Sequence, residues 1–323
     1  MWVDDLIIFG KSRVEVDKMK DQLRSEFEMK DLGPLRYFVG ILVQRDRERR
    51  TLRIDQSGYV DMILQRFDME NSTPVATPIA TGTRLVNATD NDEIIDAKPY
   101  QSMVGSQMYA MLCTRPDIAF AVSQVSQFNT SPTSTHEVIA RRILRYLKGS
   151  IDLGIEYSGK EGLVMKVFVD ADWGASENRR SIGGYIVIFA GGAISWSCKK
   201  QGSVALSSTE AEYMALVQVL KESIWLQRLL RELGREAENA KTIYEDNQGA
   251  IALANNPEYH ARTKHVDIQY HFVRECVENG DIELEYCPTA DMVADALTKA
   301  LPKDRHWMLL GRMGMKNATA STS

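Results

Sequence analysis

The sequence predicts an α/β protein whose helices cover a mixed sheet, and three observations carry that prediction. From Gly159 to about Leu301 the apolar periodicity switches between two and 3.6 residues, in the order β-β-β-α-β-α-α-β-α. The strand runs are short and joined by turn residues, and the longest helical run stops at Gly234. At 323 residues and 44% hydrophobic composition, the chain has material for about two domains with substantial cores.

Composition narrows the function classes. A charged content of 26% with a net charge of -5 does not mark a globally basic nucleic-acid binder, so any such role rests on local patches. Cys113, Cys198, Cys276 and Cys287 lie far apart with no C-x-x-C pair, which fits reduced, buried thiols in an intracellular protein. No apolar run approaches about 18 residues, and no basic segment followed by an apolar one opens the chain. The expectation is an intracellular protein with no membrane span and no secretion.

The elements follow in order. "MWVDDLIIFG" sets Asp4 and Asp5 side by side between short β-prone runs, either as a tight turn or as a hairpin offering two carboxylates to metal. Residues 12–30 carry Val16, Met19, Leu23 and Phe27 at helical spacing. "LRYFVGILVQRD" and "TLRIDQ" read as strands around the turn "RERR", and "SGYVDMILQRFDM" as an amphipathic helix. Thr73 to Lys98 is a polar connector, after which helical periodicity covers 100–114, 118–128 and 135–149, the last capped by Ser134 or Thr135. Arg141, Arg142, Arg145 and Lys148 form a cationic stripe on that helix, either a solvated face or a phosphate contact.

Beyond Gly159 three strands, "GLVMKVFVDADWG", "SIGGYIVIFAGG" and "AISWSC", precede a long helix over 207–234. "KTIYED" (strand), "NQGAIALAN" (helix), "HVDIQYHFVRECVENG" (helix), "DIELEYCP" (strand) and "DMVADALTKAL" (helix) complete the block. Asp170, Glu210, Asp246 and Asp295 fall where these elements end, which is where α/β sheets place their chemistry. Divalent cations about 4 Å apart, as phosphodiester cleavage uses them, require several carboxylate oxygens. Each acid also has a structural reading. Ser207 and Glu210 fit a capping box, Asp246 fits an N-cap, and Asp172 shares a strand face with Asp170. Asp295 is the exception, because Asp291 already stands in the capping position and Asp295 lies among apolar neighbours.

The chain resembles the C-terminal part of a copia-type retrotransposon Pol polyprotein over nearly its whole length, to about Trp307. "WVDDLIIFG" is similar to the Tyr-x-Asp-Asp hairpin of reverse transcriptases, with Trp2 in place of tyrosine. "DLGPLRYFVGI", "YQSMVGSQMYAMLCTRPDIAFAVSQVSQF" and "ARRILRYLKGS" resemble the segments that follow it. "VFVDADW", "LSSTEAEYMAL", "EDNQGAI", "RTKHVDIQYHFVRE" and "ADALTK" then come in the family's order. The resemblance implies a truncated palm remnant over 1–55, a helical thumb and connection over 56–158, a ribonuclease H-like five-stranded domain over 159–302, and a tail over 303–323. It names Asp170, Glu210, Asp246 and Asp295 as ligands of two magnesium ions, or manganese, with Asp172, Glu212 and Asp291 as neighbours. Arg179, Arg180, Arg262 and Lys264 are expected phosphate contacts, and His265 beside them is a further nucleic-acid contact, a catalytic group, or a cap or packing residue at a helix start. The family's third polymerase aspartate lies upstream of the hairpin, so Asp4 and Asp5 are expected to be vestigial and the fragment to lack polymerase activity. The expected function is metal-dependent cleavage of the RNA strand of an RNA–DNA hybrid, with the upstream polymerase part of the polyprotein as a second partner. A folded, catalytically inert nucleic-acid-binding remnant is the alternative.

Overall fold

The computed structural model describes residues 6–90, 92–235, 241–255 and 264–318, with 264–269 as backbone only. Asp4 and Asp5 of the expected palm hairpin lie outside the described residues, and residues 6–10, its second half, form no strand. Helix α1 (Arg13–Glu26) starts at Ser12, whose hydroxyl accepts the Glu15 N–H, and buries no side chain. Strands β1 (Tyr37–Phe38), β2 (Ile41–Asp46) and β3 (Thr51–Asp55) form an antiparallel meander. A helical layer follows: α2 (Ser57–Arg66), α3 (Ala97–Cys113), α4 (Ala119–Ser126) and α5 (Ser134–Lys148). These four close over Ile63, Leu64, Met103, Val104, Val122, Ile143 and Leu144, as their spacing predicts.

Three features of this half depart from the sequence reading. Thr133, one residue before the expected caps, opens α5, and His136 closes the capping box. The cationic stripe of α5 is used internally. Arg142 donates to the Thr77 hydroxyl at 3.1 Å, Arg145 to the Thr73 carbonyl at 2.7 Å and Lys148 to the Glu70 carbonyl, so the stripe pins the start of the connector. The segment expected to be helical also ends in a strand, β4 (Leu153–Ser158), which pairs with β3 across the 1–55 boundary.

The second sheet contains β5 (Met165–Asp172), β6 (Ile182–Phe189), β7 (Gly192–Lys200), β8 (Thr242–Glu245) and β9 (Glu283–Tyr286). Its order is β7-β6-β5-β8-β9, antiparallel from β7 to β5 and parallel from β5 to β9, the mixed five-stranded sheet the sequence predicts. Helices α6 (Ser208–Glu232), α7 (Gln248–Asn255) and α8 (Lys264–Glu278) lie between these strands in the chain. Along β5 the side chains alternate between two cores. Met165, Val167, Val169 and Ala171 pack under α6, and Phe168 faces the other cluster. Asp170 and Asp172 therefore share the Phe168 face.

That second face is covered from the end of the chain. The last expected helix is broken: only α9 (Asp295–Thr298) is α-helical, preceded by a single 3₁₀ turn. The region expected as a tail instead forms α10 (Lys303–Arg312) and β10 (Met315–Asn317), and β10 adds to β4 at the edge of the first sheet. Leu297, Leu309, Leu310, Met313 and Met315 fill the core between the sheets. Gly314 makes this seam possible, because its φ of 77° suits glycine and a side chain there would run into the Gly191 carbonyl. A buried polar chain ties α10 to the helical layer: Arg115 binds Asp117 at 2.7 Å, the Tyr146 hydroxyl donates to Asp117 at 2.8 Å, and His306 lies 3.0 Å from that hydroxyl. Among the described residues no helix is long and apolar enough to cross a membrane.

Candidate metal centre

The order β7-β6-β5-β8-β9 reverses direction between β5 and β8, the point at which parallel strands leave a crevice beyond their carboxyl ends. The two strands are in register at Val167↔Ile243 and Phe168↔Tyr244. Beyond that β5 continues to Asp172 beside β6 while β8 ends, and Phe168 stacks on Tyr244 to floor the gap. Asp170 enters this crevice from β5, Asp246 from the residue after β8, and Glu212 from the first turns of α6.

One oxygen of each of these three carboxylates lies within 4.8 Å of the other two. Asp170 is 1% exposed and Glu212 5%, so two of the three charges sit in low dielectric. Burial first, and Asp295 after it, push Asp170 up to about 6 against the pull of Lys299. Glu212 and Glu245, neighbours on the α6 side of the sheet, are both held well above the usual carboxylate range by burial and then by their charged neighbours. Glu212 Oε2 and Glu245 Oε2 are buried without a hydrogen-bond partner. Three close hard oxygen donors, one with an unpartnered atom, fit a small divalent cation by donor type.

Neighbouring side chains fix the ligand oxygens. The Thr298 hydroxyl donates to Asp170 Oδ2, and the Thr289 hydroxyl donates to Asp246 Oδ2 at 2.8 Å. Lys299 Nζ bridges Asp170 Oδ1 at 3.1 Å and Asp295 Oδ1 at 2.9 Å. Burial alone would lower the Lys299 pKa, but these two carboxylates outweigh it and raise it. Gly184 on β6 lets α9 come this close, since a Cβ there would sit 2.8 Å from Thr298 and 2.9 Å from Leu297.

Glu210 is not in the cluster and Glu212 takes its place. The Glu210 carboxylate accepts the Leu206 N–H at 2.7 Å while its own N–H donates to Ser207, so it completes the capping arrangement at the start of α6. Two residues on, Glu212 lies on the buried face with Ala211, Tyr213, Ala215 and Leu216. The signal was legible: a cap accounts for Glu210, and nothing local accounts for an acid on the apolar face. Asp295 lies beside the cluster and is joined to Asp170 through Lys299, with Arg305 at 3.1 Å on its second oxygen. It therefore has ionic partners that sequence spacing did not reveal. Asp291 is no cap but pairs with Arg312, and the cap of α7 comes from Asn247, whose Oδ1 accepts the Ala250 N–H, not from Asp246.

Arg179 and Arg180 are exposed in the turn between β5 and β6, near Lys200, which donates to Gln127. Arg262 lies outside the described residues. Lys264 and His265 begin α8, and their side chains lie outside them too.

Residues 1–81 match the family model described as reverse transcriptase (RNA-dependent DNA polymerase). The chain is 42% identical over 321 residues to the retrovirus-related Pol polyprotein from transposon TNT 1-94 of Nicotiana tabacum, covering 98% of this chain and 24% of that protein. It is 38% identical to the Pol polyprotein from transposon RE2 of Arabidopsis thaliana, over 94% of this chain and 21% of that one. The putative transposon Ty5-1 protein YCL074W of Saccharomyces cerevisiae is 31% identical over 224 residues, 69% of this chain and 72% of that protein. The chain spans between a fifth and a quarter of the length of the two polyproteins. Among solved structures, LC11-RNase H1 isolated from compost aligns with a TM-score of 0.31 at 15% identity, over 42% of this chain and 92% of that one.

Proposed function

This chain belongs to the Pol polyproteins of copia-type retrotransposons, and from that premise we propose that its second sheet carries a metal-dependent ribonuclease H activity that cleaves the RNA strand of RNA–DNA hybrids. The observation that carries the reading is the cluster of Asp170, Glu212 and Asp246 at the switch point of the sheet. These three residues would hold a divalent cation, with Asp295 next to them. Bound magnesium, or manganese in its place, would supply positive charge at the scissile phosphate and lower the pKa of a water molecule.

The chain's own groups orient and load the site. Thr298 and Lys299 fix Asp170, Thr289 fixes Asp246, and the packed face of α6 fixes Glu212. Loading requires ionised carboxylates, so protons leave as the cation enters, and cation affinity rises with pH through the range near 6 where Asp170 titrates. Arg179 and Arg180 contact the phosphate backbone from the exposed turn, Arg262, Lys264 and His265 add further contacts to it, and selectivity for RNA comes from its 2′-hydroxyls. In the longer polyprotein the exposed apolar side chains Leu6, Phe9, Phe27 and Leu32 meet the upstream polymerase part.

The test is cleavage of an end-labelled RNA–DNA hybrid by the purified chain in magnesium. We expect endonucleolytic products ending in a 3′-hydroxyl, their loss in Glu212→Gln, and their persistence in Glu210→Gln. An inert but folded parent chain, or a Glu212→Gln variant as active as the parent, overturns the reading.

A further inference from the structure

We infer that the Lys299 ammonium holds the position of a second cation between Asp170 and Asp295, so that the chain takes up one divalent ion readily and a second only by displacing this ammonium. The inference rests on the metal-centre reading and goes beyond it. Lys299 Nζ lies 3.1 Å from Asp170 Oδ1 and 2.9 Å from Asp295 Oδ1, so one ammonium bridges the two acids. The remaining oxygens of this pair are engaged as well, Asp170 Oδ2 by the Thr298 hydroxyl and Asp295 Oδ2 by Arg305 at 3.1 Å. Two carboxylates thus meet two cationic side chains, and the charge on this side of the site is balanced.

The other side is not. Glu212 has a buried oxygen with no donor, and among the described residues the hydrogen bond to the Asp246 carboxylate comes from the neutral Thr289 hydroxyl. A divalent ion is drawn first to Glu212 and Asp246, which among the described residues hydrogen-bond to no cationic side chain, with Asp170 completing its ligands. Lys299 caps the end of α9: its backbone N–H donates to the Asp295 carbonyl at 3.0 Å, which keeps it beside Asp295, and Thr298 anchors the turn beneath it. Its side chain keeps a third of its surface exposed, so a flexible four-carbon stem has a route out of the bridge.

The experiment is titration of the full chain with Mn2+ alone, read by calorimetry and by electron paramagnetic resonance, without nucleic acid. The parent is expected to bind one ion, with any second ion weaker by about tenfold or more, the scale of one unit charge a few ångströms away. Lys299→Met should bring the second ion into the range of the first, and Lys299→Arg should restore the parental pattern. Lys299→Gln replaces the Met variant if circular dichroism shows that Met unfolds the chain. Two ions of comparable affinity in the parent, or a second affinity unchanged on neutralising Lys299, overturn the inference while leaving the first ion in place. Absence of any Mn2+ binding in parent and variants removes the metal centre itself, and this inference with it.

Discussion

Replacing Asp170 by Asn removes a charge that the fold holds at a disadvantage. Asp170 is 1% exposed and its carboxyl is displaced from 3.8 to about 6 in spite of Lys299 and Thr298. An acid whose pKa is raised by folding stabilises the native state below its unfolded value of 3.8, and that stability is lost as pH rises through about 6. At about 1.4 kcal/mol per tenfold change in proton affinity, the ionised carboxylate disfavours the folded chain by about 3 kcal/mol at pH 7. Asparagine keeps the shape without that charge and, like the protonated acid, has a single carbonyl oxygen, so it accepts from Thr298 or from Lys299 and not from both. Asp170→Asn should therefore match the parent near pH 3.5 and exceed it by up to about 3 kcal/mol at pH 7, or roughly 6–12 °C in melting temperature. The assay is urea unfolding of both chains in EDTA at several pH values, with the difference between them isolating this one group. Added Mg2+ should close the gap by stabilising only the parent. A variant less stable than the parent at pH 7, or a difference that does not vary with pH, refutes the electrostatic account of the site.

Four further outcomes are expected. Asp246→Asn should abolish hybrid cleavage with an unchanged circular dichroism spectrum, since it removes a ligand charge and retains the side-chain shape. Gly184→Ala should lower stability by about 1–3 kcal/mol and weaken Mn2+ binding, because its methyl group forces α9 away from β6; parental Mn2+ affinity would count against this role. His306 behaves oppositely to Asp170: burial lowers its pKa to about 4, so its contribution is present above 6.5 and is lost as pH falls towards 4, by about 3 kcal/mol. His306→Phe should remove that acid sensitivity, measured by Trp307 fluorescence, at a loss of about 1 kcal/mol at neutral pH from the bond to Tyr146. Arg115→Met should destabilise the chain by about 3–5 kcal/mol in urea unfolding, by leaving Asp117 buried without its cation.

Much of this protein was determined locally. Period-two runs became β5, β6 and β7 because alternate residues such as Val167 and Phe168 meet two different cores. The 3.6-residue spacing of Tyr213, Leu216 and Leu220 became α6 because one helical stripe covers one sheet face. Asp170 and Asp246 were recognisable from their places at strand ends, where a side chain emerges from the sheet without leaving it. The choice between Glu210 and Glu212 was local as well, but it required treating the cap as a sufficient explanation for the first and asking what explained the second. Other features were decided only by tertiary contact. Lys299 reaches back to Asp170 across 129 residues of sequence, and no spacing rule links those two positions. Strands β4 and β10 were missed because a strand of three to six residues has too few alternations to stand out and acquires its identity from the partners it pairs with. The raised acids of the site belong to the same class. Their residue types are written in the chain, but their energies arise from the low dielectric and the like charges that folding brings around them.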